Sequence, residues 1–164
     1  MLVRSWRTSL SVGALALAML VGTAAPSSAF LDKTRFVAHL GVAYFAFHHW
    51  VWLPYRLGAF QSGAPHRLST IVKGGVALLF AYHEVRVAEK IAHDSKDPLL
   101  QKFDGALSGL EANFQAVGQK FKAGQFSPQD VASLGASTTS IKSLAQSAGL
   151  DIQDKPVPVP VPGL

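Results

Sequence analysis

The chain has no cysteine. That excludes disulfides and thiolate metal sites, and it leaves redox compartment unreadable from pairing. Charge is also scarce: 15% of residues are charged, with 10 Asp+Glu against 15 Lys+Arg. Arg4 and Arg7 belong to the N-terminal leader, so from Phe30 onward the balance is 13 basic against 10 acidic residues. No basic cluster is denser than scattered single residues, which excludes a nucleic-acid footprint. There is no HExxH, no CxxCH and no nucleophile–base–acid constellation, so no enzymatic reaction is read from the sequence. Alternating strand patterns are missing after residue 30. The hydrophobic fraction of 49% is far from that of disordered chains.

What is present begins with a leader. Residues 1–29 combine Arg4 and Arg7, an apolar core over residues 10–22, and a small-residue end in which Ser27 and Ala29 take the −3 and −1 places of a cleavage site. This pattern reads as a secretory signal peptide, with an uncleaved anchor as the alternative. Its apolar core is shorter than the roughly 20 residues a membrane span needs. The sequence therefore divides into a signal peptide (1–29), a helical domain (30–150) and a Pro-rich extended tail (151–164).

The domain is organised around FVAHLGVAYFAFHHWVW, residues 36–52, with Phe36, Tyr44, Phe45, Phe47, Trp50 and Trp52 and no carboxylate. Asp32 is the expected N-cap of a first helix over about 33–52. Pro54 is expected to stop it, because the residue before proline avoids the α region. A loop rich in Gly and Pro follows to Pro65. A second helix is expected from His66 or Arg67 to about His93, with Tyr82, Arg86, Glu89, Lys90 and His93 facing water. Ala77, Phe80, Val87, Ala88 and Ile91 make its apolar side, and Lys73 and Glu84 break that side. Gly74-Gly75 predicts a close helix crossing or a kink. A third helix begins at Asp97-Pro98 and carries Leu100, Phe103, Leu107, Leu110, Phe114, Val117 and Phe121 at alternating three- and four-residue steps. Gly124 is its expected end. Ser127-Pro128-Gln129-Asp130 opens a fourth helix, with Val131, Leu134, Thr138, Ile141, Ala145 and Ala148 inward and Gly149 at its end. The tail KPVPVPVPGL favours extended polyproline II, a stiff spacer, read as an unstructured tail, as a ligand for a groove or as an arm reaching into the cell envelope. The fold class is all-α, an antiparallel four-helix bundle with a cleaved signal peptide and a Pro-Val tail, with the first helix central.

All six histidines lie between His39 and His93. If the first two helices pair antiparallel, His39 falls level with His83, and His48 with Lys73. Two facing imidazoles suggest haem or a metal between helices; otherwise both are surface histidines. Adjacent His48 and His49 diverge by about 100° and cannot chelate one ion from a regular helix. His48 reads as a half-buried imidazole hydrogen-bonded to a carbonyl or to Tyr44, or as a base or pH sensor. Glu84 must be paired, neutralised or set against a cavity, and Arg35 or His39 is within reach in this register. Trp50, Trp52, Tyr55 and Arg56, in and beside the loop, suit an interface, or else cap the bundle.

Residues 36–53 contain no charged residue and reach the lower limit for a membrane span, flanked by Arg35 and Arg56. The third helix's amphipathic seam needs an apolar partner, which favours burial by protein. The run HLGVAYFAFHHWVWLPYRLGAF followed by VKGGVALLFAYHEVRVAEKIA resembles a group of small exported helical proteins of actinobacteria without an assigned function. The resemblance spans about residues 30–150 and rests on the aromatic run, Pro54, Gly58, Lys73 and Glu84. It implies a helical, exported protein and no activity. The expectation is a non-enzymatic secreted or cell-envelope binding module that meets a protein or envelope component through its aromatic hairpin. The alternatives are a haem- or small-ligand-binding bundle and a membrane-embedded hairpin.

Overall fold

The computed structural model describes residues 28–160. The leader expected over residues 1–29 lies almost wholly outside them, as does the end of the tail. Among the described residues there is no strand. Helix α1 spans Ser28–Phe47, a π-helical turn follows over His48–Trp52, and α2 covers Leu53–Arg56. Helix α3 runs Arg67–Asp94, α4 Pro98–Gln101, α5 Asp104–Lys122 and α6 Pro128–Ser147.

The third helix's seam is the core. Leu100, Phe103, Leu107, Leu110, Phe114, Val117 and Phe121 are all buried. The helix is broken near Phe103 into α4 and α5, where the sequence suggested one piece. Asp97 caps α4 by accepting from the Leu99 amide at 2.8 Å. At the other end Gly124, at φ 67°, closes α5: its amide bonds the Phe121 carbonyl, and the Gln125 amide bonds that of Lys120. A residue in the left-handed region satisfies otherwise orphaned carbonyls in this way. Ser127 and Asp130 bond reciprocally at the start of α6, the capping box the sequence announces. Lys120, hydrogen-bonded to Asp130, holds that carboxyl below the usual carboxylate range.

Helix α3, not α1, is the one flanked along its length, by α1 on one side and α5 on the other. Its glycine pair makes a close crossing. A Cβ at Gly74 would lie 3.1 Å from the Phe121 ring and 3.4 Å from the Trp50 carbonyl. Helices α1 and α5 meet through long side chains, with Phe47 edge-on to Phe114 at 5.9 Å and Phe36 edge-on to Phe103 at 5.1 Å. The Tyr44 hydroxyl donates to the Thr138 carbonyl of α6 at 2.8 Å. Phe36, Leu40, Tyr44, Phe47 and Val51 have no exposed surface. No helix among the described residues is long and apolar enough to cross a membrane.

Three local expectations are corrected. Asp32 is not a cap: α1 is already helical there, and Asp32 accepts from the Ser95 hydroxyl at 3.1 Å. Pro54 does not end the first helix. It has no N–H to give, and its ring would strike the carbonyl four residues back in a regular α-helix. The π-helical turn just before it widens the backbone; the Leu53 amide bonds the His48 carbonyl, and Pro54 enters as an early residue of α2. Finally, the segment after Gly149 is not a free tail. Ile152 and Val159 are buried, and the Lys155 amide donates to the Gly41 carbonyl at 2.9 Å. Gly41 has no side chain where the Gln153 carbonyl oxygen approaches, so the extended segment lies directly on α1.

Candidate interaction site at the hairpin end

The residues singled out in the sequence form two groups, with His48 and His83 apart from both. Glu84 and His39 form one pair: His39 Nδ1 and Glu84 Oε2 are 2.7 Å apart, with side-chain exposures of 31% and 13%. This explains how a carboxylate is tolerated on an inward face of α3. His39 therefore faces Glu84, while His83 is exposed on a groove with Arg86, Lys90 and His93. The structure does not join His39 and His83 at one site. No group of three His, Asp or Glu side chains among the described residues is placed to hold a metal.

The His39–Glu84 contact gives a test. Glu84→Ala is expected to cost about 1.5–3 kcal/mol, the range for losing a hydrogen bond to a charged group. His39→Ala should cost a similar amount, and the double variant clearly less than the sum. Urea denaturation of the four proteins measures this, and strict additivity would show that the pair contributes nothing.

His48 belongs to the docked C-terminal segment, its Nδ1 2.7 Å from Asp154 Oδ2. It bonds neither a carbonyl nor Tyr44, although its ring lies 6.1 Å from the Tyr44 ring. Burial first, and then the Asp154 charge, push the Tyr44 hydroxyl far above its usual value. That phenol stays neutral and serves as a donor to Thr138.

The second group gathers where the π-helical turn, α2, the loop to His66 and the first turns of α3 meet the end of α5. Trp52 lies against α6, where a Cβ at Gly135 would be 2.9 Å from its ring. Trp50 is half-buried, and its indole N–H has no acceptor among the described residues. Phe60, Phe121 and Phe126 form a three-ring cluster under the loop, and Arg67 Nε donates to the Phe60 carbonyl at 2.9 Å. The loop thus caps the domain with its inner residues and offers others to solvent. Leu57 is 74% exposed, Leu68 75% and Val72 53%, with Leu53 also exposed.

Three grooves surround this end. One of about 500 Å³ runs between α3 and α5 past Leu68, Val72, Arg67 and Lys122. A second, of about 430 Å³, holds Tyr55, Arg56, Arg67 and Phe126. A third, of about 480 Å³, lies between the π-helical turn and α3 and contains Trp50, Leu57, His66 and Lys73. Each has at least one cation, and none is lined by a carboxylate. The two grooves near the other end of α3 do contain carboxylates: Glu89, Asp94 and Asp104 in one, Asp32 and Asp94 in the other. Among the described residues Arg56, Lys73 and Lys122 enter no ion pair.

Reading for aromatics finds Trp50, Trp52, Tyr55, Arg56 and Lys73 but misses Leu57, Leu68, Val72, Arg67 and Lys122. A signal for Leu57, Arg67, Leu68 and Val72 was there, since no carboxylate occurs between Asp32 and Glu84; Lys122 lies outside that stretch. Compared with known proteins, the chain matches no family model, no curated protein and no solved structure.

Proposed function

We propose that the chain is exported by its N-terminal leader as an antiparallel four-helix bundle. It acts without catalysing a reaction, as a secreted or cell-envelope binding module whose partner surface is the hairpin end. The observation that carries this reading is that Leu53, Leu57, Leu68 and Val72 are exposed at the hairpin end beside the unpaired cations Arg56, Lys73 and Lys122, while Phe30, Leu31 and Leu144 are exposed elsewhere. Exposed apolar surface of this kind is kept where something binds it. The antiparallel arrangement is supported by paired positions whose numbers rise along one helix as they fall along the next. His39 meets Glu84 and Trp50 meets Gly74; His93 meets Asp104 and Gly74 meets Phe121; Lys120 meets Asp130 and Asn113 meets Ser137.

The test expresses the chain with its own leader in an exporting host, with a photo-crosslinking residue at position 57 or, as a control, at 102. The expected result is a processed N-terminus at Phe30, with envelope adducts from position 57 and none from 102. An unprocessed N-terminus overturns export. Equal labelling from both positions overturns the hairpin end as the partner surface.

A further inference from the structure

We infer that the hairpin end docks onto an anionic phospholipid surface, with the exposed leucines entering the headgroup boundary and the cations meeting lipid phosphates. The inference rests on the binding-module reading above and names its partner.

Three features of the molecule converge on it. The first is charge. The three grooves at this end hold Arg56, Arg67, Lys73 and Lys122 and no carboxylate, while the two grooves near the other end of α3 hold several. The nearest acid on α6, Asp130, is engaged by Lys120 and Ser127. A basic residue near an anionic leaflet is drawn to it within a Debye length, so neighbouring cations add their effects.

The second is the arrangement of the apolar side chains. Leu57 lies in the groove on one side of α3, and Leu68 and Val72 in the groove on the other. A peptide filling one groove would leave the other's leucine in water. An extended anionic surface set against this end of α3 would meet Leu57, in the loop before the helix, and Leu68, in its first turn, together. Aliphatic side chains beside Lys and Arg are the chemistry of peripheral membrane contact.

The third is what stands behind these residues. Trp50 and Tyr55 line the same grooves, and Trp52 is seated against α6. Tryptophan and tyrosine are the side chains that favour the membrane–water boundary. The end is also braced by the Phe60, Phe121 and Phe126 rings, so docking orders no new segment of chain. The contact so made is peripheral, through side chains of the loop and of the first turns of α3.

The experiment uses the processed protein recovered from an exporting host. If the leader proves to be retained, the full chain is used and all comparisons are made between variants carrying it. Sedimentation is measured with vesicles of phosphatidylcholine alone and of phosphatidylcholine mixed equally with phosphatidylglycerol. The expected result is binding to the mixed vesicles only, weakening as salt is added. Arg56→Gln, Lys73→Gln and Lys122→Gln should each weaken it about fivefold, as expected for one basic residue at an anionic surface. Leu57→Ser and Leu68→Ser should weaken it further, with circular dichroism unchanged because both side chains are exposed. Lys96→Gln and Lys102→Gln, away from the three grooves, should leave it unchanged. Equal binding to both vesicle types, a loss as large from Lys102→Gln as from Lys73→Gln, or binding to poly-glutamate with none to vesicles would each overturn the inference. The last outcome would leave the binding-module reading standing with an acidic protein as partner. The N-terminus and the crosslinking pattern report on that reading separately.

Discussion

Phe121→Ala is expected to lower the unfolding free energy by about 3–5 kcal/mol, the range for emptying a buried phenylalanine site. Phe121 is 2% exposed and sits where three parts of the fold meet. Its ring stacks on Phe126 at 4.0 Å and meets Phe60 edge-on at 5.4 Å, while Phe60 and Phe126 contact each other at 5.3 Å. The cluster ties the end of α5 to the loop after α2 and to the lead-in of α6. Its other face fills the space left by Gly74 and Gly75. The resulting cavity has backbone along one wall, and backbone cannot collapse into it as flexible side chains would. A domain of this size is stable by about 5–15 kcal/mol in total, so the loss is a large share. Phe60→Ala combined with Phe121→Ala should cost less than the sum, because the rings pack on each other. Urea denaturation checks both statements. A loss below about 1 kcal/mol would mean that the rings do not pack as described.

Gly41→Ala is the second large effect, and its sign is opposite to the one local propensity predicts. Alanine in place of glycine inside a helix is favourable by about 1 kcal/mol. Here a Cβ would sit on the Gln153 carbonyl oxygen and 3.3 Å from Lys155 Cβ. The obstacle is backbone, so the extended segment must lift. That exposes Ile152 and Val159 and breaks the bond from the Lys155 amide to the Gly41 carbonyl. Burial of the two side chains is worth about 1.5–3 kcal/mol each, partly offset by the freedom the segment regains. The expected net loss is about 2 kcal/mol, accompanied by fast hydrogen exchange at the Lys155 amide. His48→Ala, which removes the Asp154 contact and the ring contacts with Tyr44 and Phe47 but leaves the Gly41 backbone contact in place, should cost less and leave that amide protected. A stabilised Gly41→Ala protein with a protected Lys155 amide would refute the docked arrangement.

The contrast between these two positions shows what the sequence could reveal. Phe121 was legible: it is the last residue of a seam whose period announces itself, and Asp97-Pro98, Gly124 and Ser127-Pro128 mark the ends around it by local chemistry. The limits of α3, Arg67 and Asp94, fall beside those expected from the sequence, His66 or Arg67 and about His93. Glu84 stood out as a misplaced charge, and a simple register set His39 level with His83 and left Arg35 or His39 within reach of Glu84; the structure chooses His39. Gly41 was not legible, because the carbonyl it makes room for lies more than a hundred residues away in sequence. Pro54 misled for a different reason. The rule that proline stops a helix assumes an α-helical carbonyl four residues earlier, and the π-helical turn removes that premise. The break at Phe103 fell inside an unbroken apolar pattern, since a short turn can keep both side chains inward. At the candidate site, aromatics drew the eye, but exposed leucines and absent carboxylates mark the surface.

The docked C-terminal segment also sets the order in which the molecule can be completed. Helix α1 is among the earliest parts of the domain to be synthesised, and the strip that covers Gly41 is among the last. Their contacts join residues as far apart as His48 and Asp154, at a separation of 106 positions. Most other contacts in a helical domain are local and form quickly, whereas those that close long loops are slow. Until residues past 150 arrive, that face of α1 has nothing to cover it. Covering that face therefore waits for residues 152–159, and a polypeptide that has not yet reached them presents α1 unfinished.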